Sequence, residues 1–420
     1  MTSGPTGAPV SPVPSPVSTA LSRRRLLFAA AGAAGLAALP TTAWADPAGL
    51  LHDIGSIGGP GTPSEATDIN DRGDVVGVTS LPGTSVSHAF VMNPRVRGGR
   101  PIDITPSESR SSRAEAVNGS GVVVGTLGMG IATAMAGLRA TPHTLAPGIA
   151  ASALGRASSA GGGPLLQPFV WRPHGGLDAL PLPPGAEGAR AVDINDRGTV
   201  LVVGTNATGT GLPVGSYLWD PDCRTYTRIP PTDSSPTGPV ALAHKLDARG
   251  GVMGGLVTEV GPQAWQHTSA VWEPGTLTTH RLPAGGASDT YATDRNEKGL
   301  IVGWRMDTSG GLTTAVYWPH PDAAPVALPG RVAFKVNNTG QIVGIRDFPD
   351  SSVFPFTAVM WEPARGRTTA LGDKNLGSYV LAINTTGQSA GYALTPGETT
   401  PHNTATWWDT PRRSGGRGHS

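Results

Sequence analysis

The chain has 420 residues, 31 Lys and Arg against 30 Asp and Glu, and a single cysteine. Such an even balance leaves no electrostatic footprint for nucleic acid. One thiol, Cys223, excludes an intramolecular disulfide framework.

Residues 1–45 read as an address. Ser22-Arg23-Arg24-Arg25-Leu26-Leu27 opens a short Ala/Leu/Gly segment that ends at Leu39. Ala43-Trp44-Ala45 then supplies small residues at the two cleavage positions, so processing is expected before Asp46. Paired arginines ahead of a weakly apolar stretch resemble a bacterial twin-arginine export signal. That implies the export machinery as a partner and a secreted, extracellular destination. The apolar run is shorter than the roughly 20 residues of a membrane span, so the mature chain is expected to carry none. Without Arg23, Arg24 and Arg25 the basic count is 28 against 30 acids, a formal charge of −2.

An orphan strand follows, Leu50-Leu51-His52-Asp53-Ile54-Gly55, patterned like Pro101-Ile102-Asp103-Ile104 and Leu177-Asp178-Ala179-Leu180. Next comes one phrase in seven copies, roughly Ala-x-x-Ile-Asn-x-x-Gly-x-Val-Val-Gly. The copies run Ala66–Gly77, Ala114–Gly125, Ala191–Gly204, Ala243–Gly254, Ala292–Gly303, Ala333–Gly344 and Val380–Gly391. A fixed period of about 50 residues marks a solenoid, propeller or array. Within each copy, short β-prone runs are punctuated by Gly, Asn, Asp and Pro, and helical periodicity is absent.

The turn inside the phrase has a mechanism. Asn70, Asn118, Asn195, Asn296, Asn337 and Asn384 share one position, with Asp247 in the remaining copy. Either side chain can accept from the backbone two residues on, as an Asx-turn. Three residues later a glycine supplies positive φ at little steric cost. The third strand carries Trp171, Trp219, Trp272, Trp318, Trp361 or Trp408, with Met92 in the first copy. A large aromatic there fits packing between adjacent sheets, and the proline that usually follows ends the strand.

The phrase together with His88-Ala89-Phe90 resembles the HAF-repeat family of extracellular bacterial proteins, named for that tripeptide. The resemblance covers nearly all of the mature chain, although the other copies replace the tripeptide, as in Gln167-Pro168-Phe169 and Ser269-Ala270-Val271. It implies a repeat fold and export, and carries no activity, catalytic residue or cofactor.

Three motifs fail on inspection. Asp68-Ile69-Asn70-Asp71-Arg72-Gly73, with Asp193 to Gly198 and Asp294 to Gly299, resembles the start of a calcium loop. Arg72, Arg197 or Lys298 stands where a ligand oxygen is required, and position 12 holds Thr79, Gly204 or Arg305 instead of a bidentate acid. Gly387-Gln388-Ser389-Ala390-Gly391 spells a nucleophile elbow, but Ser389 falls inside a strand with no helix after it. The ten histidines show no zinc spacing. No metal, cofactor or catalytic residue is therefore expected.

These elements predict an all-β, seven-bladed β-propeller of four-stranded antiparallel blades over residues 46–410. Its last blade lacks a fourth strand, so Leu50 to Ile54 is expected to pair with Ala405 to Trp408 and close the ring. Residues 128–167 form an insertion rich in Ala, Gly and Ser, read as a flexible loop with a marginal helix over Ile149 to Ala157. Residues 411–420 read as a disordered tail. A monomer is expected.

The residue just ahead of each phrase varies where the turn and packing positions do not. Glu65, Arg113, Arg190, Leu242, Tyr291, Val332 and Tyr379 hold this place, with Arg331 one step earlier. Innermost strands enter from the face opposite the Asn-x-x-Gly turns. The charged and tyrosine members, Glu65, Arg113, Arg190, Tyr291, Arg331 and Tyr379, are therefore expected to crowd one mouth of the channel and bind a ligand. The expected function is a secreted, non-catalytic binding or scaffold protein for an extracellular glycan or peptide. The alternative is an extracellular polysaccharide hydrolase or lyase with its carboxylates at the central channel.

Overall fold

Each copy of the phrase becomes two strands and the turn between them, and the copies become blades. The computed structural model describes residues 51–93, 99–105, 111–128, 166–206, 214–231, 240–261, 264–306, 313–348, 356–372, 376–397 and 401–409. The expected signal, the tail and nearly all of the 128–167 insertion lie outside these residues. The strands form seven antiparallel four-stranded sheets arranged as a seven-bladed β-propeller. Blade 1 runs Ser64–Ile69, Val75–Ser80, Ser87–Met92, Ile102–Asp103 from channel to rim. The other first strands are Ser112–Val117, Gly188–Ile194, Val240–Leu246, Asp289–Arg295, Val332–Val336 and Ser378–Ile383, in blades 2 to 7.

Closure occurs where the pattern placed it. Leu51–Asp53 is the outer strand of blade 7, with Leu51 opposite Trp408 and Asp53 opposite Thr406. Ile54 N–H extends the ladder to Ala405 O at 2.8 Å. Two edges that would otherwise template foreign strands are thereby paired. Between blades the core is apolar. Trp272, Trp318, Trp361 and Trp408 are fully buried, and the indoles of Trp272 and Trp318 donate to Pro230 O and Pro283 O at 2.9 Å.

All seven first strands carry a β-bulge between the first and third residues of the phrase. In blade 1, Ala66 faces Gly77 and Asp68 faces Val76, so Thr67 is the extra residue. A bulge inverts the side-chain alternation beyond it. Glu65 and Asp68 therefore share one sheet face, the one turned to blade 2. The bulge also explains the closing glycine of the phrase. A Cβ on Gly77 would lie 2.0 Å from Glu65 O, and on Gly303 it would lie 2.0 Å from Tyr291 O.

The Asn of the turn does two jobs. Asn70 Oδ1 accepts Arg72 N–H at 3.0 Å and Asp74 N–H at 2.9 Å, completing the expected Asx-turn. Its Nδ2 donates outward to Asn118 O on the next blade at 2.9 Å. The link repeats from Asn118 to Asn195 O, Asn195 to Asp247 O, Asn296 to Asn337 O, Asn337 to Asn384 O, and Asn384 to Asn70 O. This belt runs round the ring with one break. Asp247 keeps the turn bonds to Arg249 and Gly251 N–H but has no N–H to give. Asn296 O is left with its own turn's Gly299 N–H.

Two stability outcomes follow. Asp247→Asn supplies the missing donor and should raise the unfolding free energy by about 1 kcal/mol, whereas Asn384→Ala should lower it by about 2 kcal/mol; urea denaturation reads both. Ending the chain before Asn403 removes the strand that Leu51–Asp53 needs and should lower the Tm by on the order of 10 °C. Removing Pro411 to Ser420 should leave the Tm where it is.

Candidate functional site

The shared face set by the bulge decides where the variable residue ahead of each phrase goes. Glu65 is 1% exposed and accepts Arg113 Nη1 at 2.9 Å and Asn403 Nδ2 at 3.1 Å. Arg113 also meets Glu115 at 3.4 Å, and Glu115 accepts Arg190 at 2.9 Å. An ion network thus joins blades 1, 2 and 3. Burial alone would lower the Arg113 guanidinium, but Glu115 and Glu65 outweigh it and hold it above its ordinary value.

The other side of the channel is aromatic. Tyr291 stacks between His267 and Trp304, at 3.9 Å from each ring. Tyr379 is buried and stacks on Tyr392 at 5.3 Å, and burial pushes both phenols up. Arg331 points outward into a two-pronged pair with Asp347, each contact 2.7 Å. The expectation that these six side chains crowd an open mouth is corrected on this point. Glu65, Arg113, Arg190 and Tyr379 are packed between blades, Tyr291 is held in a stack, and Arg331 is paired with Asp347.

Among the described residues, an open cavity lies at the opposite mouth, on the face of the Asn-x-x-Gly turns. It measures about 220 Å³ and is lined by six acids and three bases, a formal charge of −3. The third residue of the phrase supplies its inner ring: Asp68, Asp193, Lys245, Asp294 and Lys335, with Ala116 and Ala382 in the two blades that lack a charge. Asp71, Asp247 and Glu297 rise from the turns around it.

Each ring aspartate is anchored to the following blade. Asp68 accepts Val117 N–H at 3.0 Å, Asp193 accepts Leu246 N–H at 2.7 Å, and Asp294 accepts Val336 N–H at 2.9 Å. These are the residues that began the calcium-like strings, and the fold uses them as interblade acceptors. Lys245 Nζ bridges Asp193 at 3.2 Å and Asp294 at 3.8 Å. Burial works against its charge, yet Asp193, Asp294 and Asp68 raise it above an ordinary lysine. Burial raises the Asp68 carboxyl, opposed first by Lys335 and then by Lys245. Sequence reasoning overlooked this ring. The available signal was variation at the third position, between Asp, Lys and Ala, inside an otherwise regular phrase.

No protein-family model matches the chain, and no curated protein sequence does. Among solved structures it is similar to the β-propeller domain of the Trilobed protease from Pyrococcus furiosus, which has an open velcro topology. That match has 10% identity and a TM-score of 0.50, over 83% of this chain and 94% of that one. The chain is also similar to the Pyrococcus horikoshii acylaminoacyl peptidase, at 11% identity and a TM-score of 0.50, over 82% of this chain. It spans about half, 51%, of that peptidase. At such identities the likeness shows the fold alone. The fold is a propeller.

Buried His267 and half-buried His244 bear on how stability depends on pH. His267 Nδ1–H donates to Thr290 O at 2.8 Å, and His244 Nε2–H donates to Ala292 O. Burial lowers His267 to about 3 and His244 to about 4, in each case against the backbone contact. The unfolded chain therefore binds more protons than the folded one from pH 6.5 downwards. Stability should be full above pH 6.5 and fall as pH drops toward 4, by about 1.4 kcal/mol per pH unit for each histidine. In urea titrations between pH 4.5 and 7, His267→Phe, which keeps the ring stack, should remove one proton's worth of that slope.

Proposed function

We propose that this chain is an exported, non-catalytic propeller of the HAF-repeat type that binds an extracellular glycan or peptide through the turn-face mouth. One observation carries the reading. The turn-face mouth is an open polar cavity with charged side chains from five blades, while the side chains ahead of each phrase, toward the opposite end, are engaged in ion pairs and aromatic stacks among the described residues. A rigid ring that presents variable groups at one end is suited to recognition.

Two of the three ring aspartates favour binding over hydrolysis. A glycosidase needs one carboxyl free to give a proton and another free to attack or to activate water. Asp193 and Asp294 each accept a backbone N–H and share Lys245, which leaves neither available for that work. The twin-arginine-type signal supports the extracellular setting.

The test compares the two faces. The mature protein is screened on glycan and peptide arrays alongside Asp71→Lys with Glu297→Lys on the turn face and Arg331→Ala on the other. Binding should fall at least tenfold in the turn-face variant, beyond the small loss of Tm expected from removing the Thr385 N–H bond to Asp71, and persist in Arg331→Ala. Loss confined to Arg331→Ala would place the site at the wrong mouth, and turnover of any array ligand would restore the hydrolase reading.

A further inference from the structure

The two lysines of the inner ring hold equivalent positions and have unequal surroundings. Lys245 sits between aspartates on both neighbouring blades. Lys335 follows Asp294, but one oxygen of Asp294 is taken by Val336 N–H and the other faces Lys245. On its far side the ring position is Ala382, a methyl buried in the apolar core between blades 7 and 1. Among the described residues, no carboxylate lies within 4.0 Å of the Lys335 ammonium.

The next charge around the ring is Asp68, which is anchored by only one of its oxygens. Lys335 and Asp68 thus flank a blade that contributes no charge, and both line the same cavity. At about 220 Å³ that cavity is smaller than the ~300–1,000 Å³ of a whole-ligand pocket. It has room for an end group.

We infer that the mouth binds an amino-carboxylate end group. Its carboxylate takes the place beside Lys335 that an aspartate holds beside Lys245, and its ammonium faces Asp68. The inference rests on the binding reading above and adds the chemistry of the ligand. A sugar acid would set a second carboxylate against Asp68 in a lining that already has three more acids than bases. A simple amine would leave Lys335 unmatched. Buried or half-buried charges reward a partner that matches both signs, because each unpaired charge costs desolvation without return.

Titration calorimetry on the mature protein tests this with alanine, propionate, ethylammonium and glucuronate as probes. Alanine should bind at least tenfold more tightly than each of the others. Ala382→Asp gives Lys335 the carboxylate that Lys245 already has, and should weaken alanine at least tenfold. Lys335→Met, which keeps the stem without the charge, should do the same and covers a failure of the first variant to fold. N6-acetyl-lysine, with its amino-carboxylate at the end of an arm, separates the sources. Affinity equal to alanine assigns the end of a longer chain, and tenfold weaker affinity assigns a free amino acid. Equal binding of alanine and propionate, tighter binding of glucuronate, or alanine binding indifferent to both variants overturns the inference. If no probe binds while the turn-face charge reversals still abolish array binding, the end-group chemistry is wrong and the binding face stands.

Discussion

An amide side chain that bonds in two directions holds this ring together. The oxygen of each turn Asn closes its own hairpin, and the nitrogen reaches a backbone carbonyl of the next blade. Local geometry and radial assembly are therefore coupled through one residue. A blade's two faces are apolar and cannot be satisfied alone, so a polar contact that sets the spacing between blades specifies the ring as well as stabilising it. Asp could close the hairpin equally well but has no donor for its neighbour. The one Asp copy, at Asp247, marks that difference by interrupting the belt.

The bulge beside the belt divides the channel into unlike ends. By placing the residue ahead of the phrase and the third residue on the same face, it sends both toward the following blade at different depths. The deeper set is consumed by the fold. Glu65, Arg113, Glu115 and Arg190 satisfy one another on one side, and His267, Tyr291 and Trp304 stack on the other. Buried charges of that kind are tolerated because none is left without a partner. In the shallower set Asp193 and Asp294 are buried and bonded, while Asp68, Lys245 and Lys335 are half-buried and line the open cavity.

This division gives the protein a constant frame and a variable end. Turn, bulge, glycine and tryptophan serve the frame and recur with little change. The third position varies between Asp, Lys and Ala because an aspartate there gains a backbone N–H, Lys245 gains its neighbours' carboxylates, and an alanine packs into the core. All three are compatible with the ring. Structural likeness at about a tenth identity transfers the frame and not that variable end.

Blade number, strand order, the Asx-turn and the closing strand were legible in the sequence, since each depends on residues close together or on a repeated pattern. Leu51–Asp53 could be matched to the last blade because a missing fourth strand and an orphan strand are both visible as pattern. The open turn-face mouth was not legible. Strict alternation puts Glu65 and Thr67 on one face, and only pairing with Val75–Ser80 reveals that Thr67 is extra and that Asp68 takes its place. The partners of Arg113, and the absence of a described carboxylate beside Lys335, are likewise set by blades about 50 residues apart. The sequence by itself determined how many blades there are and how each is made. The tertiary structure decided which side chains are spent between blades and which line the open turn-face cavity, because a bulge exists only in register with a neighbouring strand and a charge is unpaired only in three dimensions.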